Sequence, residues 1–335
     1  MIFYFLTSIL LLYFTSKFFL KKGILIEKTQ DKLHKKLFYI DKKKTYLGGL
    51  FLLITIFFFI FQGNFILIIP FFLIFLIGLL SDLNLINSPK IRLFFQLIVI
   101  LFLIFLTETL VANTRIDFID RLLEYDLFKY IFTIFCFLVL INGCNFIDGT
   151  NLLLVGYFLI VSICIFSLSQ NPLIDFDVNK FSILIVCLLV LFLFNFFSQI
   201  LMGDSGAYLI GLLFGFFTIM LSNQNLNVSP IYILNLLWYP AFENLFSIIR
   251  KISNKTSVSE ADNFHLHHFV FKFINKKVKF KKFNNSLSGF VINVFNLIVL
   301  ALSTIVSYHS GYLALILIFN IIIYLISYNF LKKQV

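Results

Sequence analysis

A chain of 335 residues that is 60% hydrophobic and only 13% charged, with a mean hydropathy of +0.99, carries more apolar surface than a soluble core can hide. Its apolar runs approach the ~20 residues that cross a bilayer, which excludes an ordinary soluble domain and predicts an all-α polytopic membrane protein. The net charge of +11 is gathered in a few segments, so it reads as an orientation signal and a contact with membrane lipids, with no nucleic-acid partner expected.

Eleven apolar segments follow one another, at roughly 2–20, 46–61, 65–81, 92–110, 128–142, 151–168, 181–199, 205–221, 231–249, 287–307 and 312–330. Helices are expected for all of them, because lipid offers backbone groups no other partner outside a closed barrel. The first, "IFYFLTSILLLYFTSKFFL", has basic residues after it and none before it, the reverse of a signal peptide. It is predicted to be a retained span with its N-terminus outside. Of the 27 lysines and arginines, 23 fall on one side of the resulting topology. They are Lys17, the nine lysines of 21–44, Lys90, Arg92, the nine basic residues of 250–282, Lys332 and Lys333. Arg115, Arg121, Lys129 and Lys180 fall on the other. The lysine-rich side is therefore expected to be cytoplasmic, with the C-terminus inside. Residues 1–335 read as one integral membrane domain, with cytoplasmic catalytic loops at 21–48, 81–92, 142–151, 200–206 and 250–286. Cys136, Cys144, Cys164 and Cys187 have no paired spacing and read as small buried residues, so neither a disulfide nor a zinc site is expected.

Four polar islands interrupt the apolar text: "GLLSDLNLINSPKIRLFFQ" (78–96), "NGCNFIDGTN" (142–151), "MGDSG" (202–206) and "EADNFHLHH" (260–268). Two spans separate each island from the next, so all four open on one face, where Asp82, Asn142, Asn145, Asp148, Asp204, His265, His267 and His268 can converge. Aspartate and asparagine oxygens without a cysteine suit a hard ion such as Mg²⁺. Lysine, arginine and histidine around such an ion suit phosphate oxygens. Phosphoryl transfer needs mainly positioning and charge neutralisation, and a Mg²⁺-dependent phosphoryl-transfer site at the cytoplasmic surface is the expectation. Asp204, between two apolar runs, is expected to be the metal ligand with Asn145 second. The plainer reading of Asp204 is a cap on a helix beginning near Ser205. Asp82 is expected to orient or deprotonate an attacking phosphate, and Asp148 to meet nucleotide or metal. Lys90 and Arg92 either contact a lipid phosphate or merely flank a span, and Arg250 has the same two readings. His265, His267 and His268 are expected to donate hydrogen bonds to a diphosphate. His34 and His309 read as bystanders.

In this order and spacing the islands resemble the polyprenyl-phosphate N-acetylhexosamine-1-phosphate transferases, the WecA/MraY superfamily or glycosyltransferase family 4. "GLLSDLNLINSPKIRLFFQ" looks like the aspartate-rich loop followed by S-P-K-x-R, and "NGCNFIDGTNLL" like N-x-x-N-x-x-D-G. "LMGDSGAYLIG" looks like M-G-D-x-G, and "YPAFENLFSIIRK" with "SVSEADNFHLHH" like the last cytoplasmic loop ending in H-x-H-H. "YLGG" at 46–49 is similar to the family's entry to its second span. The resemblance implies transfer of a sugar-1-phosphate from a UDP-amino sugar to undecaprenyl phosphate in a bacterial inner membrane, releasing UMP. It implies Mg²⁺, with Mn²⁺ as a substitute, and Asn142 and Asn151 among the substrate contacts. The short final loop looks more like the branch that starts O-antigen-type polysaccharides than the muramoyl-pentapeptide branch. Two departures stand out: Ser81 replaces the first of two adjacent acids, and Asn151 replaces an acid after the Asp-Gly pair. Ser81 is the motive for an alternative, a catalytically inactive member. A transporter is a further alternative, disfavoured because the polar groups lie on one face with no internal repeat. A homodimer is left open.

Overall fold

A computed structural model describes residues 2–26, 44–257, 262–278 and 281–335. All eleven apolar segments are helical. Helix α1 (Ile2–Lys22) is followed by α2 (Gly48–Thr55), which runs on into a π-helical turn, Ile56–Ile60. Then come α3 (Phe65–Asp82), α4 (Pro89–Thr107), the short α5 (Asp117–Leu123), α6 (Asp126–Ile147), α7 (Leu153–Leu168), α8 (Val178–Phe196) and α9 (Gly203–Gln224). The chain ends with α10 (Pro230–Ser253), α11 (Leu266–Lys277), α12 (Asn284–Ile305) and α13 (Ser310–Gln334). Among the described residues seven helices, α3, α4, α6, α8, α9, α12 and α13, are long and apolar enough to cross a membrane. Helices α1, α2 with its π turn, α7 and α10 account for the other four apolar runs. The protein is a multi-pass helical membrane protein.

The structure corrects the loop boundaries. Much of the polar text read as loop is helix end. Residues 142–147 complete α6, with Gly143 held inside the helix and the Asn142 amide donating back to the Leu138 carbonyl at 2.8 Å. Residues 89–92 open α4 with Pro89 at the first position, where a missing N–H is no loss. Residues 203–206 open α9, and 250–253 close α10. Within 250–286, the residues 266–277 form α11. Most of the 21–48 loop, with His34, Lys35 and Lys36, lies outside the described residues.

Helix α9 is the hub. Over its most apolar stretch 89% of the residues are buried, and it packs on α2, α3, α6 and α10. Lipid supplies no hydrophobic force between helices, so such contacts depend on small residues and close fit. The α6–α10 crossing shows how close. A Cβ placed on Gly143 of α6 would fall on the carbonyl of Pro240 in α10. Gly143→Ala is therefore expected to destabilise the protein by roughly 1–3 kcal/mol, read as a lower unfolding temperature in detergent; an unchanged midpoint would show that the crossing has slack.

The turn from α6 to α7 is locked by buried asparagines. Leu152 sits in the left-handed region at φ 69°, and its N–H donates to Asn195 Oδ1 at 2.5 Å. The Asn293 amide donates to the Leu152 carbonyl at 2.8 Å. At the far end of the bundle, Arg115 donates to the carbonyls of Leu226 (2.6 Å), Asn227 (3.2 Å) and Tyr308 (3.5 Å), joining the connections on that face.

Candidate active site

The ends of α3, α4, α6 and α9 meet around Asp204. This residue is the second of α9, after Gly203, rather than its cap: the helix begins two residues earlier than expected and its cap position is Met202. Its carboxylate is held from three elements. Asn145, in the last turn of α6, donates to Oδ1 at 2.8 Å. Ser81 of α3 donates to Oδ2 at 2.5 Å, and Arg92 of α4 reaches the same oxygen at 3.0 Å. Arg92 also donates to Ser81 Oγ (2.9 Å) and Tyr208 (3.4 Å). The Arg92 and Asp204 side chains are 21% and 14% exposed, so the pair is shielded yet open to a ligand. Ser81, where the family pattern has an acid, is thus a donor to the central carboxylate.

Asp82 works from behind. It accepts from the Asp204 N–H (2.9 Å), the Ser205 N–H (3.1 Å) and the Ser205 hydroxyl (2.9 Å). Those N–H groups belong to the first turn of α9 and have no intrahelical partner, and a negative charge there is favoured by the helix dipole. A carboxylate from α3 therefore caps α9. Gly203 makes room for it: its φ is +67°, and a Cβ there would lie 2.6 Å from Asp82 Oδ2.

The second half of the site is the H-x-H-H segment at the start of α11. His265, His267 and His268 are all buried. The rings of His265 and His267 lie parallel, 5.5 Å apart, and those of His267 and His268 are 4.2 Å apart. His268 Nδ1 accepts from the His265 N–H at 3.3 Å. His267 packs against the backbone of Gly149, which brings this segment to the end of α6 beside Asp148. Both of its ring nitrogens are buried without a hydrogen-bond partner among the described residues. Such groups are rare unless a ligand or water completes them.

Burial, and then the positive character of His268 and His265, push the His267 imidazole well below the ordinary histidine range. The folded protein binds that proton less readily than the unfolded chain. Stability is therefore full above the unfolded value of about 6.5 and is lost as pH falls through it. The unfolding midpoint in detergent is expected to drop between about pH 7.5 and 5.5, and His267→Gln to flatten that drop. An identical slope in the variant contradicts this.

Arg250 is tied to Asp262 at 2.8 Å, with Lys251 at 3.7 Å from the same oxygen. Burial raises the Asp262 carboxyl, but the Arg250 hydrogen bond, the Phe264 N–H and the neighbouring His265 and Arg250 charges outweigh it and hold it low. The remaining predicted residues are dispersed. Lys90 is exposed at the start of α4. Asn142 does not reach Asp204: its amide donates to Gln96 of α4 at 2.9 Å. Asn151 is buried, donating to Ser198 (2.5 Å) and Ser286 (3.3 Å). Sequence reasoning missed Glu243 of α10, whose Oε2 lies 3.0 Å from His265 Nδ1. It also missed Ser205 and Tyr208. The signal for Glu243 was present as an acid inside an apolar run.

No three histidine, cysteine or acidic side chains form a metal cage among the described residues. Mg²⁺ does not require one. It takes one or two carboxylates and fills its shell with water and phosphate oxygens. Asp204 with the adjacent Asn145 amide matches that demand. The fold and site together define a multi-pass membrane protein with an acid, amide, guanidinium and imidazole cluster at one end of its helix bundle. Residues 64–222 match the family model described as "Glycosyl transferase family 4". A "Probable undecaprenyl-phosphate N-acetylglucosaminyl 1-phosphate transferase" of Bacillus subtilis (strain 168) is 27% identical over 259 residues, which cover 76% of this chain and 69% of that protein.

Proposed function

We propose that this protein transfers an N-acetylhexosamine-1-phosphate from a UDP-sugar to undecaprenyl phosphate, releasing UMP, as the first membrane step of an O-antigen-like polysaccharide. The observation that carries this reading is the gathering of Asn145, Ser81 and Arg92 on Asp204, at the end of α6 that also meets His267. The lysine distribution orients this end toward the cytoplasm of the bacterial inner membrane, with eleven spans, the N-terminus outside and the C-terminus inside. UDP-sugar and lipid phosphate meet there.

In this mechanism Asp204 and Asn145 hold Mg²⁺, with Mn²⁺ able to substitute. When bound, the ion neutralises diphosphate charge and polarises the phosphoryl group. A lipid-phosphate oxygen attacks the sugar-linked phosphorus, and the bond to the bridging oxygen breaks, so UMP leaves with that oxygen. Asp82 orients the attacking phosphate and, through its cap on α9, holds Asp204 in place. Arg92, with Lys90 at the rim, attracts the lipid phosphate. His265, His267 and His268 donate to the diphosphate, and Asp148 lies toward the nucleotide. Arg250 acts through Asp262, while Asn142 and Asn151 act at one remove by fixing both ends of the segment that bears Asn145 and Asp148. Direct attack needs no acid at position 81, so Ser81 is compatible with turnover.

A UMP-release panel tests the reading. Purified protein in detergent with Mg²⁺ and undecaprenyl phosphate is offered UDP-N-acetylglucosamine, UDP-N-acetylgalactosamine, a UDP-6-deoxy amino sugar and UDP-muramoyl-pentapeptide. Release with an amino-hexose donor is expected. Release with the muramoyl-pentapeptide donor alone overturns the branch, and release with none overturns the activity.

A further inference from the structure

Glu243 is a buried acid on an apolar helix, and the mechanism above leaves it without a task. It is 1% exposed, a placement that acids avoid in a membrane protein unless they are paired and functional. Two of its hydrogen-bond partners belong to the histidine segment. Oε2 is 3.0 Å from His265 Nδ1. Oε1 accepts from the Leu266 N–H at 3.2 Å and from the Tyr239 hydroxyl at 3.4 Å. Leu266 is the first residue of α11, so its N–H is one of those that the helix itself leaves unpaired. One turn further along α10, Ser247 receives Arg250 at 3.2 Å, and Arg250 in turn holds Asp262. Asp262 Oδ1 lies 3.8 Å from the other ring nitrogen of His265. His265 is thus gripped edge-on by α10, and its ring sets the plane against which His267 lies parallel.

We infer that Glu243 is the positioning residue of the histidine cluster. It caps α11 and fixes His265 with Nδ1–H toward α10, so that Nε2 is left to face a ligand and donates to a diphosphate when the ring carries both protons. A hydrogen bond made by one ring nitrogen sets the tautomer and the aim of the other, as carboxylates do behind metal-binding histidines. Glu243 itself touches no substrate. The inference rests on the reading of the cluster as a diphosphate contact, and its test is chosen to fail separately from that reading.

The test compares Glu243→Gln, Glu243→Asp and Tyr239→Phe in the full-length protein. Ring-nitrogen NMR of ¹⁵N-histidine-labelled protein without substrate, with the His265 signals assigned from His265→Asn, reads the tautomer directly. The expected wild-type signature is a protonated Nδ1, lost in Glu243→Gln and kept in Glu243→Asp and Tyr239→Phe. In turnover, Glu243→Gln is expected to raise the KM for the UDP-sugar roughly 10-fold or more, with the KM for undecaprenyl phosphate and the unfolding midpoint unchanged; Glu243→Asp restores part of the loss. An unaltered tautomer in Glu243→Gln overturns the inference. So does a loss spread over both substrates together with a lowered midpoint, which marks a merely structural role. A wild type that shows the tautomer signature but releases no UMP overturns the proposed function and leaves the positioning role standing.

Discussion

Asp204→Asn is expected to reduce UMP release by roughly a hundred- to a thousand-fold and to abolish saturable Mn²⁺ binding seen by electron paramagnetic resonance. The substitution keeps the shape of the side chain and an acceptor for Ser81, so the bundle end stays assembled. It removes the charge that balances Arg92 at 3.0 Å and the anionic oxygen offered to a divalent ion. Arg92 is then left shielded without its counter-charge, and a modest fall in the unfolding midpoint accompanies the loss of activity. Full activity in Asp204→Asn would remove the metal assignment, and unaltered Mn²⁺ binding with lost activity would move the ion elsewhere.

Asp82 carries the second large effect, because it joins a structural task to a chemical one. Asp82→Ala strips three donors at the start of α9 of their acceptor. It is expected to destabilise the protein by roughly 2 kcal/mol or more. Asp82→Asn keeps one accepting oxygen and is expected to fall between wild type and Ala in unfolding temperature. Its turnover is expected to fall by roughly a hundred-fold, with a raised KM for undecaprenyl phosphate. The separation of the two readouts is the point. If the turnover of Asp82→Asn falls only in step with its stability, Asp82 is a cap and nothing more.

The convergence of the site was legible in the sequence. Asp204, Asn145 and the histidines stand out against apolar text, and the alternation of spans brings their islands to one end. The helical identity of all eleven segments was legible for the same reason, since hydropathy and backbone satisfaction in lipid leave few choices. Partnerships between distant residues were not legible. Arg92 and Asp204 are 112 positions apart, and nothing local to either shows that they pair. Asp82 reads as a loop acid until the start of α9 is seen to lie on it. Asn142 and Asn151 look like ligand groups by type, yet the packing of α6 against α4 and of the α6–α7 turn against α8 and α12 takes up their amides. Glu243 was half legible. Asn235, Tyr239, Glu243 and Ser247 recur every four residues and so form one polar stripe along α10, but only the fold shows that this stripe ends on His265.

The central claim is that this site moves a phosphoryl group together with its sugar. The most direct measurement follows the phosphorus. Purified protein is incubated with undecaprenyl phosphate, Mg²⁺ and UDP-N-acetylglucosamine labelled with ³²P in the sugar-linked phosphate. The account predicts that the label enters the organic phase with the lipid while unlabelled UMP accumulates. Label retained in water-soluble UDP, with sugar alone on the lipid, would contradict it.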